Sequence, residues 1–428
     1  MLAWLLDAGC GDPEDLADEA EQARGLTFMV PVPVRHISRT EFAAEEQARI
    51  ARVPDADLQS YANTYGRLGY FPIDLDLRPI LATVRTDSVA AYYSSDTQSI
   101  SLLGDVSHST IVHEFVHALQ DQNLGLSSDG DAMTSDAIAA RNAVSEGDAV
   151  LAELHYLASV EGLDFATVSL RHAFDSFTAF TESRLHQPAA PLFYARSSFA
   201  YTYGLRYCAA NLMGATDDRP VAQRPAPFDW RREDALFGDA APITTQGVLT
   251  LQPVAAPAVG IDDVPAVLAD RFEFVDRDSL GAWYVFLLLV PLEHCSACSL
   301  SGATRDLVSG WRGDSVLFVR QRDTGANGLV WVSSWADGGV AEQLASAAAE
   351  LHGFAARAGD ARSGQARDGE PMWIEVRGTR VVVIKNIDPS VAPAFVEAAM
   401  GPSAAVAATT TARRPRSRPS LAALLSAR

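Results

Sequence analysis

Apolar residues recur at helical spacing near the middle of the first half of the chain, where Ile111, Val112, Phe115, Val116 and Leu119 share one face. This pattern predicts a helix that starts between Ser107 and Thr110, capped by a Ser or Thr, and stops at Asn123-Leu-Gly125. A Gly/Ser/Asp loop runs to Asp131, then a second long helix from about Ser135 to Ser159 and a third over 163–183. Upstream, Ser88 to Leu103 alternates apolar and polar positions around a turn at Ser94-Ser-Asp-Thr97, which predicts a β-hairpin leading into the first of these helices. Leu26 to Ile37 alternates with prolines interspersed and reads as an edge strand. Residues 40–65 read as helical, and 11–24 as a short helix or linker.

Downstream, 188–262 is Pro-rich and irregular, with one helix near 197–212. A helical segment at 277–292 is followed by strands at Val316–Arg320 and Leu329–Ser333, a helix at 338–357, and strands at 372–377 and 380–385 that finish the folded part. No internal repeat is visible. The expected class is α+β, mainly helical. It divides into an N-terminal segment (1–22), a unit carrying the chemistry (23–262), a C-terminal α+β region packed on it (263–400) and a disordered basic tail (401–428).

Composition narrows the function. The 428 residues include 48% hydrophobic and 21% charged, an ordinary globular balance, and the net charge is −20. That surplus repels phosphate backbones and argues against a nucleic-acid partner. The longest apolar run, Trp283 to Leu292, falls well short of the ~20 residues a bilayer requires, so no transmembrane helix is expected. Four cysteines are too few for a disulfide scaffold. Cys295 and Cys298 form a C-x-x-C without a second pair of ligands, which reads as a surface disulfide or two free thiols. The N-terminus, Met1-Leu-Ala-Trp-Leu-Leu then Asp7-Ala-Gly-Cys10, has two readings. It is an ordinary frayed end, or the remnant of a lipoprotein signal with Cys10 as a lipid anchor and an extracytoplasmic location.

The chemistry concentrates in His113-Glu114-Phe-Val-His117. Two histidines four apart on a helix stack on one face, where both imidazoles can reach one ion at ~2.0–2.1 Å. Glu114 beside the first can act as general base on a water that zinc acidifies. A catalytic zinc takes a third protein ligand and keeps one position open. Asp121, Asp136, Glu146, Asp148 and Glu153 are candidates, and Glu146 on the second long helix is chosen. Gly147 beside it removes a side chain where helices must approach closely. Asp148 points about 200° away around the helix and cannot share that role. Asp121, one turn after His117, is expected to accept the second ring N–H of His117, and Asn142, one turn before Glu146, to orient that carboxylate. The oxyanion donor is left open among Tyr201, Tyr203, His155, His172 and His186.

The run His113-Glu-Phe-Val-His117-Ala-Leu-Gln-Asp121-Gln122, followed by Glu146-Gly-Asp-Ala149, resembles a bacterial family of predicted neutral zinc metallopeptidases of the gluzincin kind, whose pattern is H-E-x-x-H-A-L-Q-D-Q and then E-G-D-A. Arg24-Gly-Leu26 is similar to the family's opening R-G-L strand, and Tyr92-Tyr93-Ser-Ser-Asp-Thr97 to its hairpin. Phe199-Ala-Tyr201-Thr-Tyr-Gly204 resembles its F-P-Y-x-x-G, Gly310-Trp-Arg-Gly-Asp314 its G-W-G-G-D, and Trp335-Ala-Asp337 its following W-D segment. The likeness spans about residues 24–385. It implies a zincin-like metallopeptidase core with an edge β-hairpin and one Zn2+ per chain. It also implies His113, His117 and Glu146 as ligands, Glu114 as base, and Tyr201 as the better tyrosine.

One stretch departs from that pattern. Gln246 stands where the family has Glu, and Thr250 where it has His. If both line the cleft, substrate handling differs. Three functions follow as expectations: a zinc peptidase acting on a peptide or protein substrate, a non-catalytic envelope protein that keeps the zinc-bound fold, and a metal hydrolase for a non-peptide bond such as a cell-wall amide.

Overall fold

The computed structural model describes residues 15–86, 89–125, 133–185, 191–213, 229–251, 259–292, 303–357 and 360–400, together with Leu421. Cys10, His186, Cys295, Cys298 and the basic tail apart from Leu421 lie outside the described residues. The class is α+β with a helical majority. In chain order, α1 (Leu16–Arg24) leads to β1 (Val34–His36), α2 (Arg39–Ala51), α3 (Asp55–Leu68) and α4 (Leu77–Val84). The hairpin β2 (Ala91–Ser94) and β3 (Ser99–Leu102) precedes α5 (His108–Leu124) and α6 (Ser135–Val160). Then come α7 (Arg171–Leu185), α8 (Pro191–Tyr194), a π-helical turn at Ala200–Gly204, α9 (Leu205–Met213), α10 (Arg231–Asp234) and α11 (Thr245–Thr250). The remainder is β4 (Phe272–Asp278), α12 (Gly281–Leu289), α13 (Ala303–Ser309), β5 (Trp311–Gln321), β6 (Asn327–Trp335), α14 (Gly338–His352), β7 (Ala355–Arg357), β8 (Asp360–Gln365), β9 (Pro371–Arg377), β10 (Arg380–Lys385) and α15 (Ala392–Met400).

Local chemistry accounts for the elements that matter most. Ser107 caps α5 by accepting from the Thr110 N–H, and Gly125 at φ 70° ends it. Thr134 caps α6 in the same way through Ala137. The hairpin pairs Tyr93 with Ile100 and forms a three-stranded sheet in the order β1-β3-β2, so β2 is an edge. Only three residues of the extended 26–37 segment join that sheet, parallel to β3.

The larger sheet is antiparallel throughout, in the order β4-β5-β6-β10-β9-β8-β7. Its central strands read as near-continuous apolar runs because both faces are covered. Val316, Phe318, Leu329, Trp331, Val381 and Val383 join a core shared with Tyr65, Val144, Phe199 and the wholly buried α12. The alternate residues Leu317, Val319, Val330, Val332, Val382 and Ile384 pack with Phe395 and Val396 of α15. A third cluster joins Val112, Phe115 and Val116 of α5 to Ala20 of α1 and to Tyr93 and Ile100 of the hairpin. No described helix is long and apolar enough to cross a membrane.

Several expected boundaries move. Arg24-Gly-Leu26 closes a helix instead of opening a strand, with Gly25 as the left-handed cap. The segment around 40–65 is two helices, broken before Asp55 at Pro54. Residues 163–170 are a 3-10 turn and a link, with α7 starting at Arg171. Residues 277 and 278 end a strand, so α12 begins four residues later than expected. The folded part also continues past Lys385 into α15.

Candidate metal centre

Three ligand atoms converge where α5 and α6 cross. His117 Nε2 lies 3.1 Å from His113 Nε2 and 3.5 Å from Glu146 Oε2, and His113 Nε2 lies 3.3 Å from the same carboxylate oxygen. All three side chains are buried. A tetrahedron with ~2.0–2.1 Å bonds has edges of about 3.3–3.4 Å, so the triangle has the dimensions of three zinc ligands.

Hydrogen bonding orients the rings of this cluster. Gln120 donates its Nε2 to Asp148 Oδ2 at 2.7 Å and to the Ser145 carbonyl at 2.9 Å, which fixes the amide orientation. Its Oε1 then faces His117 Nδ1 at 3.0 Å and accepts that N–H. On the other ring, His113 Nδ1 lies 3.4 Å from Glu153 Oε2. The Gln120 contact thus places the His117 proton on Nδ1 and turns its Nε2 toward the cluster. A cation placed between the three atoms would have all of them as ligands.

The support extends inward. Asp148, about 200° around α6 from Glu146, is fully buried. It pairs with the equally buried Arg24 at 2.7 Å, and Arg24 also bonds Asp234 and lies over the Trp230 ring. A buried chain thus runs from His117 through Gln120 and Asp148 to Arg24.

Asp121 takes a different place from the one expected. Its Oδ2 accepts the Tyr93 hydroxyl at 2.7 Å, and the partner of His117 is Gln120. Positions i+3 and i+4 lie on opposite sides of the His117 direction on a helix. The i+3 side faces α6, whereas the i+4 side faces β2. Glu153, weighed as a third ligand, sits two turns after Glu146 on the same stripe and holds His113 instead. Asp136, also weighed, is held by the Thr245 N–H at 2.7 Å and its hydroxyl at 2.6 Å, away from the centre.

The edge strand holds Glu114. The Tyr93 backbone N–H donates to Glu114 Oε2 at 2.8 Å, and Glu114 lines a cavity of about 510 Å³. Glu114, His117, Asn142, Glu146 and Tyr201 all line that cavity. Tyr201 rides on the π-helical turn, its ring 6.3 Å from that of His113 and nearly parallel to it. Such turns often occur at functional sites. Burial, then the charges of Glu114 and Glu153, push its phenol above the ordinary tyrosine range, so it stays a donor. Of the other expected donors, Tyr203 packs on Phe199 and Trp283, His155 bonds the Ala23 carbonyl, and neither these nor His172 lines the cavity.

The departing residues do not line it either. Gln246 is buried on α11 and donates to the Ser309 carbonyl, and Thr250 donates to the Gln246 carbonyl.

A family model described as a domain of unknown function, DUF8575, matches residues 270–396. The match spans β4 to α15, the seven-stranded sheet and its helices, and does not reach the His113, His117 and Glu146 cluster. No curated protein and no solved structure matches the chain.

Proposed function

We propose that the protein is a zinc-dependent hydrolase, acting as a peptidase, on a gluzincin-like core built from β2, β3, α5 and α6. The observation that carries this reading is the near-equilateral set of His113, His117 and Glu146 acceptors, with Glu114 on the same helix beside it. The donor set of two imidazoles and one carboxylate also suits iron in oxygenases. The adjacent carboxylate favours hydrolysis.

Zinc at this site would supply Lewis acidity and lower the pKa of a water to about 7. Glu114, steadied through one oxygen by the Tyr93 N–H, takes a proton from the attacking water and returns it to the leaving amine. Tyr201, kept protonated, donates to the oxygen that gains charge. β2, the edge strand, lines the same cavity through Ala91, Tyr92 and Tyr93, where an extended peptide would run. Since Gln246 and Thr250 stand away from the cavity, the motive for a purely binding role weakens.

The test combines elemental analysis with digestion of a peptide library, with and without chelator. About one zinc per wild-type chain, its loss in Glu146→Ala, and chelator-sensitive cleavage abolished in zinc-replete Glu114→Gln are expected. Full activity in Glu114→Gln, or no chelator-sensitive cleavage of any peptide, overturns the reading.

A further inference from the structure

Three guanidinium groups stand on the wall of the same cavity: Arg85 after α4, Arg184 near the end of α7, and Arg196 between α8 and the π-helical turn. In a chain of net charge −20 this wall is a local inversion of sign. The three differ in how their charge is balanced. Arg85 is held by Glu46 at 2.8 Å, and Glu46 is shared with Arg49 at 2.9 Å. Arg196 is only 9% exposed, bonds Tyr284, and lies close enough to Arg85 for the two charges to oppose each other. Arg184 lies over the Phe180 ring, 4.9 Å from its centroid, and among the described residues no carboxylate is within ion-pair distance of it.

The two carboxylates of the cavity wall, Glu114 and Glu146, are committed to the Tyr93 N–H and to the ligand triangle. Glu46 thus serves both Arg85 of the wall and Arg49, while Arg184 faces the cavity over an aromatic ring. Guanidinium groups in partly desolvated walls match carboxylates through paired N–H donors. Phe177, Phe180 and Tyr194 line the same wall and can pack an aliphatic stem.

We propose that this arginine wall binds a carboxylate of the substrate, with Arg184 as the direct contact, so that the enzyme selects acidic peptides. The carboxylate comes from an Asp or Glu side chain near the cut bond or from the peptide's own C-terminus. The inference takes the reacting centre from the reading above, but its test reads binding and not turnover.

The zinc-loaded full chain carrying Glu114→Gln is titrated with N-acetylated octapeptides. One set moves a single Glu along a neutral amidated host, a second is the neutral host with a free C-terminus, and the third is the neutral amidated host. At least one acidic peptide should bind about tenfold or more tightly than the fully neutral host, with the advantage shrinking as salt rises. Which set gains identifies the source of the carboxylate. Arg184→Ala should remove the advantage, a loss of about 10–100-fold, while leaving neutral-peptide affinity and the melting temperature unchanged. Arg184→Lys should restore part of it. Equal binding of acidic and neutral peptides, no binding of any acidic peptide, or an equal loss for both classes in Arg184→Ala overturns the proposal. Efficient cleavage of neutral peptides with no acidic preference would sink this inference and leave the peptidase reading standing. Acidic preference without chelator-sensitive cleavage would do the reverse.

Discussion

Gly147 of α6 faces Gly204 of the π-helical turn so closely that a Cβ built on Gly147 would lie 2.3 Å from the Gly204 carbonyl carbon. The converse holds too, since a Cβ on Gly204 would lie 2.1 Å from the Ala143 carbonyl oxygen. This contact of backbone on backbone sets Glu146 and Tyr201 on one cavity wall.

Replacing Gly147 by Ala should therefore force α6 and the turn apart. An overpacked core contact costs about 1–3 kcal/mol. A denaturant titration should show that loss, and peptide hydrolysis should fall with it as Tyr201 shifts from His113. A Gly147→Ala protein as stable and as active as wild type would mean that the approach is not constrained.

Gln120 touches no ligand atom of the metal triangle, yet it sets the tautomer of His117. Loss of such a supporting bond typically weakens metal affinity by about 10–100-fold. Competition with a chromophoric chelator should find that drop in Gln120→Ala. Asp121→Asn, which alters the Tyr93 contact instead, should leave zinc affinity within about threefold of wild type, well below that supporting-bond effect.

Tyr201→Phe keeps the ring packed between His113 and Phe177 and removes only the hydroxyl. Removing one oxyanion donor lowers kcat by about 100–1,000-fold. Zinc content should stay at wild-type level while kcat falls. A normal kcat would assign the donor elsewhere.

The junction between α6 and the large sheet should respond to pH. Burial, together with the neighbouring Asp314 and Asp278, pushes the Asp136 carboxyl up to about 7. Burial likewise pushes Asp314 up to about 6, against the bonds it accepts from Gly281, Ser279 and Leu280. A carboxyl raised above its unfolded value binds a proton that the unfolded chain releases. Its contribution to stability is complete below about pH 4 and is lost as pH rises through 6 to 7. Melting temperature should thus fall between pH 5 and 8 by more in wild type than in Asp136→Asn, whose amide oxygen can still accept from Thr245. Parallel pH profiles for the two proteins would refute this.

The residues that had to lie close in sequence were legible there. His113, Glu114 and His117 share one helix, and helical periodicity alone puts two imidazoles on one face. The cap near Ser107, the hairpin and the central strands follow from side chains within a few positions of each other. Glu146 was also readable, because Gly147 marked a close approach, although what it approaches is the turn at Gly204 and not the motif helix.

What required the tertiary structure was the choice between directions that a helix leaves equivalent. Whether Gln120 or Asp121 supports His117 depends on which side of α5 receives α6 and which receives β2. The same holds for Glu153 at His113 and for Arg85, Arg184 and Arg196, which come from three separate elements to a common wall. Local periodicity fixes where a side chain points around its own axis. Only the packing of distant segments fixes what it meets there.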